Sequence, residues 1–131
     1  IAFTFSEIID ANSVLAGWTG TATTVTLRLV DGGAGSDSVQ IWNAANTSQL
    51  PLGTVNLGDT AYTSATVTFT GSTMTQSGAG ITVALGTTAG TTTRAGPARL
   101  AWTPSATATD RAANACSTTS VNESGGNDRN F

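Results

Sequence analysis

Strict alternation of apolar and polar residues recurs along the chain. Ile1, Phe3 and Phe5 fall on one side of an extended segment, with Ala2, Thr4 and Ser6 on the other, and Val25, Leu27 and Leu29 alternate with Thr26 and Arg28 in the same way. A period of two marks half-buried β-strands. It places further strands at Val39 and Ile41, Val55 and Leu57, Val67 and Phe69, Ile81 to Leu85, Leu100 and Trp102, with a last one near Ser117 to Val121. The intervening segments are turn chemistry: Asp31 to Asp37, Asn43 to Asn46, Gly58-Asp59, Ser77 to Gly80 and Gly86 to Gly96. This rhythm predicts an all-β fold, an antiparallel β-sandwich of about seven to nine strands in a single domain over 1–131. Helix is confined to one turn within Ser6 to Ala16 and another within Thr107 to Ala115, where Asp110 is the candidate cap. The Thr/Gly-rich run Thr87 to Thr93 reads as a mobile loop.

Composition narrows the chemistry. The chain of 131 residues holds 26 Thr, 20 Ala, 15 Gly and 12 Ser, a small, uncharged, β-tolerant alphabet. It has no histidine and no lysine, all five basic residues are arginine, and Cys116 is the single cysteine. Ser-His-Asp and Cys-His triads, histidine metal sites, P-loop lysines and Schiff bases are therefore closed to it. No enzyme activity and no cofactor are expected. A net charge of -3 leaves no surface basic enough to neutralise a run of phosphates, so nucleic acid is not an expected partner. No stretch approaches 18 consecutive apolar residues, so no membrane span is expected either.

Several motifs carry candidate chemistry. Gly32-Gly33-Ala34-Gly35-Ser36-Asp37-Ser38-Val39-Gln40 fits the calcium-binding nonapeptide G-G-x-G-x-D-x-U-x, but it occurs once, and such sites are built between stacked copies. A loop joining two strands is the simpler reading. Glu7 and Asp10 are a candidate acid and base pair for glycoside cleavage, outweighed by solvated or capping roles. Trp18, Trp42 and Trp102 are candidates for sugar stacking. Trp102 alternates as a core aromatic does, whereas Trp42 falls opposite Val39 and Ile41 and is the one expected to face out. The Thr-x-Thr triplets lack the regular repeat that an ice-binding array needs and suit the wet face of strands. Asn46-Thr47-Ser48 and Asn122-Glu123-Ser124 are N-glycosylation sequons, and Cys116 reads as a small buried thiol.

Two segments carry a resemblance. Phe3-Thr4-Phe5-Ser6-Glu7-Ile8-Ile9-Asp10, followed by Asn12-Ser13-Val14, resembles the "TFSE-x-ID-x-x-S" opening of the bacterial Ig-like repeats of surface-layer and other large secreted proteins. Ala108-Thr109-Asp110-Arg111-Ala112-Ala113-Asn114-Ala115 resembles their closing "D-x-A-G-N" turn, with Ala113 where the family has Gly and Ile8 where it often has Pro. The resemblance covers under a quarter of the chain. It implies an Ig-like sandwich on a bacterial exterior, with no catalytic residues and with one more strand ahead of the "TFSE" strand. The start at Ile1, without an initiator Met, points to upstream processing.

A sandwich lacking that strand presents an open edge and an apolar groove beside Phe3 and Phe5, to be filled by a neighbouring copy or by the chain's own tail. The expected function is thus a structural subunit of an extracellular filament or surface assembly. Copies of the chain join by strand addition, with Ile1, Phe3 and Phe5 on one side of the joint and Val121 and Phe131 on the other, and 122–131 serves as an extended interaction segment. The alternative is a monomeric adhesion or carbohydrate-binding module with glycans as partners.

Overall fold

A computed structural model describes residues 1–93 and 96–128. The elements in chain order are β1 (Ala2–Thr4), α1 (Ala11–Val14), β2 (Thr23–Val30), β3 (Ser38–Asn43), β4 (Gln49–Asn56), β5 (Val67–Ser77), β6 (Gly80–Ala84), β7 (Ala101–Thr103) and β8 (Val121–Asn122). The all-β antiparallel expectation holds. All eight strands join in one sheet of order β1-β6-β5-β2-β3-β4-β7-β8, and every neighbouring pair is antiparallel. Hydrogen bonding thus runs without a break from β1 to β8.

This sheet is curled. In a flat sheet the six inter-strand steps of about 4.8 Å between β1 and β7 would hold them about 29 Å apart. Instead the ring centroids of Phe3 on β1 and Trp102 on β7 lie 5.3 Å from each other. The interior so enclosed holds Val25, Leu27 and Leu29 from β2, Val39 and Ile41 from β3, Met74 from β5, and Ile81 and Val83 from β6, all essentially without solvent contact. Each is a residue on the apolar phase of its strand.

Two long strands bend to make the curl, and glycine sets where. On β5 the buried positions run Val67, Phe69 and then Ser72, Met74, so the phase slips by one at Gly71, whose φ of 68° is ordinary only for glycine. The slip coincides with the register shift against β2. On β4 the buried positions run Leu50, Leu52 and then Val55, slipping at Gly53, with φ of 82°. A Cβ at Gly53 would overlap the Thr103 carbonyl oxygen. Between the pairs Gln40↔Thr54 and Trp42↔Gln49 the chain advances two residues on β3 and five on β4, and the excess holds Pro51, which needs no ladder partner there. The expected strand of Val55 and Leu57 therefore starts earlier, at Gln49, and ends at Asn56, with Leu57 buried just beyond it.

Other expectations are corrected. The last strand is Val121–Asn122, later and shorter than Ser117 to Val121. The single helical turn falls within Ser6 to Ala16 as expected, capped by the Asp10 carboxylate, which accepts the Asn12 amide at 3.1 Å. The segment 107–115 is not helical: Thr109 bridges Ala115 around a tight turn. The run Thr87 to Thr93 is tied at both ends, Thr87 exchanging two main-chain bonds of 2.9 Å with Thr70 and the Thr93 amide donating to the Tyr62 carbonyl at 2.7 Å.

The Gly32 to Asp37 turn is clamped from inside. Asp37 is fully buried, and its carboxylate accepts the amides of Gly32 at 3.0 Å, Tyr62 at 2.9 Å and Thr63 at 3.0 Å. The acidic residue of the nonapeptide thus ties two loops together. Asp37→Ala leaves the two buried N–H groups of Tyr62 and Thr63 without an acceptor, at about 1–3 kcal/mol each, and frees the more exposed Gly32 amide to water. Urea unfolding of that variant should show a loss of at least about 2 kcal/mol, and Asp37→Asn, which keeps one oxygen, a smaller one.

Candidate functional site

The curl brings the two ends of the sheet face to face without joining them. On β1, Ile1 and Val83 exchange main-chain bonds, and the Phe5 amide donates to Ala79. The N–H and C=O groups of Ile1, Phe3 and Phe5 therefore serve the β6 side of an antiparallel ladder, and those of Ala2 and Thr4 point outward. No described residue pairs with that outer edge. On β8, Val121 lies opposite Trp102 and Asn122 opposite Ala101. The Glu123 amide donates to Leu100 at 3.0 Å, which puts Val121 in register with Trp102's main chain and turns the main chain of Asn122 outward.

Between these edges runs a seam. One stretch, of about 310 Å³, is lined by Ile1, Phe3, Leu100, Trp102, Val121 and Glu123; a second of similar volume continues past Phe5, Glu7, Ile9, Asp110, Cys116 and Val121. Each holds the volume of about ten waters. The floor is aromatic: Phe3 packs at a tilt on Trp102, and Phe5 meets the same indole edge-on at 5.1 Å. The indole Nε1 donates to the Leu52 carbonyl at 2.7 Å, which anchors the ring to the kinked part of β4. Val121 shares the inner phase of Trp102 yet is 55% exposed, because no described residue lies over the seam beside it.

Of the residues expected at a joint, Ile1, Phe3, Phe5 and Val121 all face this seam within one copy, and Phe131 lies outside the described residues. The tail occupies the β7 edge of its own chain. Besides the two-residue ladder, the Arg99 guanidinium donates to the Glu123 carbonyl at 2.9 and 3.2 Å, the Glu123 carboxylate accepts the Leu100 amide at 2.7 Å, and Ala98 and Asp128 exchange main-chain bonds.

The two segments that carry the family resemblance dock at the end of the seam. Ile9 bridges Asp110, the Asp10 amide donates to Thr109 at 2.8 Å, and the Ser13 hydroxyl accepts the Thr109 amide at 3.0 Å. Asp110, expected as a helix cap, instead organises the turn. Its carboxylate accepts the amides of Ala112 and Asn114 and the Asn114 side chain, each at 2.8 Å. The Asn114 side-chain bond is the largest of the effects that hold the Asp110 carboxyl below its ordinary value, followed by the Asn114 amide, against a burial effect that opposes them; the Ala112 amide and Glu7 add to the lowering. Cys116 is half-buried, and burial first, then the negative Asp110, pushes its thiol above the usual range. Such a thiol stays protonated and unreactive at neutral pH.

The remaining candidates have structural partners. Asp10 caps α1, and Glu7 lines the same stretch of the seam as Asp110. Trp18 is buried with its Nε1 on the Thr21 carbonyl. Trp42 does lie on the outer face, but the Arg28 guanidinium covers its ring at 3.5 Å while bonding Asn46, the acceptor of the first sequon. Thr26, of the triplets, is buried. Among the described residues no three His, Cys, Asp or Glu side chains converge as a metal site, and no helix is long and apolar enough to cross a membrane. No protein-family model, curated protein or solved structure matches the chain.

The turn yields two predictions. Ala113, where the resembled family has Gly, has φ of 67°, so Ala113→Gly should raise stability by about 1 kcal/mol, read as a shifted urea midpoint. Because the folded-state pKa of Asp110 is depressed, its contribution is complete above the ordinary value of 3.8 and is lost as pH falls through the lower folded value. Asp110→Asn should remove that step from the acid limb of stability against pH.

Proposed function

We propose that this protein is a structural subunit of an extracellular assembly whose copies join by strand addition at the seam between β1 and β8. The observation that carries the reading is the combination of a β1 edge without a partner among the described residues and an inner-facing Val121 that is 55% exposed. Main-chain groups of Ala2 and Thr4 offer strength, and the alternating Ile1, Phe3 and Phe5 offer register. Covering the exposed part of Val121 adds about 1 kcal/mol. The strand β1 itself, Ala2–Thr4, carries none of the usual edge protections: no charged side chain, no proline and no bulge.

The Ig-like sandwich belongs to the same proposal. The kinks at Gly53 and Gly71 fold one sheet into two facing parts, and the two resembling segments meet at its open side, as the start and end of an incomplete sandwich would. A bacterial cell-surface location rests on that resemblance.

Electron microscopy and sedimentation test the reading. The protein should form particles far larger than 13.1 kDa. Thr4→Pro, which removes one outward N–H and leaves the β6 ladder intact, should shift the material to monomer with little change in unfolding midpoint. A wild-type protein that stays monomeric at millimolar concentration would overturn the proposal.

A further inference from the structure

We propose that the strand a copy contributes is its own tail, residues 117–128, and that in the assembly this tail replaces β8 of the neighbouring copy instead of adding a ninth strand. The inference rests on the reading that copies join at this seam, and it sets the donated strand in the place of β8 rather than beside it.

Strand polarity carries the argument. Along the order β1-β6-β5-β2-β3-β4-β7-β8 every step reverses direction, so the edges β1 and β8 of this eight-stranded sheet run oppositely. A strand inserted between them must run parallel to one of them, the less favourable pairing. Without β8 the sheet has seven strands, and its edges β1 and β7 run the same way. One strand in the position and direction of β8 is then antiparallel to both. The site thus fits a strand of the polarity that the tail already shows.

The contacts of that strand are on view within one copy. A tail arriving from a sibling pairs Val121 with Trp102 and Asn122 with Ala101, and it brings Glu123 to the Leu100 amide and the Arg99 guanidinium, as the resident tail does. The ladder of the resident tail is two residues long and both are exposed, and the bonds of Glu123 and Asp128 extend its hold on the β7 side. Tail exchange requires the chain leading to it to swing out. The Cys116 amide is pinned to the Ala108 carbonyl at 3.0 Å, but Ser117 to Ser120 are exposed and outside any regular element. Four extended residues reach about 14 Å. Exchange that passes from each copy to the next is heterologous, and it grows an open chain unless the rotation closes.

The test places cysteines where β7 and β8 face each other, Ala101→Cys with Asn122→Cys, in a Cys116→Ser background. Oxidised as monomer, this variant should lose its assembled fraction; assembled under reductant and then oxidised, it should give a ladder of covalent multimers on a non-reducing denaturing gel. Assemblies whose disulfides are all within one chain would overturn tail exchange and leave seam assembly standing. Failure of the wild-type protein to assemble at all would overturn both. Independently of any variant's folding, a synthetic peptide of residues 117–128 in tenfold excess over wild-type protein should shorten the particles several-fold, and the same peptide with Val121→Asp should not. Unchanged particle length with the unaltered peptide would overturn the proposal.

Discussion

The contact of Phe3 and Phe5 with Trp102 is the constraint on which the architecture turns. It joins the first strand of the sheet to the seventh, and it does so through side chains alone. An interior closed by side chains excludes water from the core, while the outward backbone groups of Ala2 and Thr4 meet no partner among the described residues. Had the same closure been made by a β1·β8 ladder, the molecule would be a barrel with no edge to offer. Trp102 has a second anchor in the Leu52 carbonyl, so the ring cannot turn away from the seam without breaking a hydrogen bond to the kinked segment of β4.

That segment, with its counterpart on β5, is what allows the ends to meet. The bulge at Gly71 is stitched by Ser72, a buried hydroxyl that donates to Phe69 and accepts the Gly86 amide at 3.0 Å each. Asp37 plays the corresponding part under the loops at Gly32 and Tyr62. In both places a buried polar side chain has backbone partners, so each bend or loop is fixed at little desolvation cost. The sheet is therefore curved by a few polar and glycine positions set among strands whose apolar phase is otherwise regular.

The sequence discloses the regular part and hides the bends. Alternation located β2, β3, the first half of β5, and β6, because Val25, Leu27 and Leu29 or Ile81 and Val83 stay in phase over a whole strand. It missed Leu50 and Leu52, since Pro51 and Gly53 carry the signature of a turn while serving as the irregular stretch of a strand. It took the alanines of 107–115 for helix, because five side-chain and main-chain bonds around Asp110 and Asn114 outweigh local propensity there. The inward orientation of Ile1, Phe3 and Phe5 was legible from their spacing. That Val121 stands across from them was not, since strand order in a curled sheet is set by contacts among residues distant in sequence. Nor is there a local signal that would show Asp37 reaching Tyr62 and Thr63.

Strand parity gives the open edge its meaning. An unprotected β1 by itself would accept any extended segment, and indiscriminate edge pairing is aggregation. Here the choice is narrowed twice. The inner phase of the seam admits a strand only in the register that turns apolar residues toward Phe3 and Trp102, because a slip of one residue would put its polar side chains over the aromatic floor. Direction is narrowed by the count of strands: seven leave two edges of one polarity, to both of which a single opposite strand is antiparallel. The tail has that direction, an apolar residue in the inner phase at Val121, and a glutamate placed to hold the Leu100 amide. In the proposed exchange these contacts pass from one copy's tail to its neighbour's.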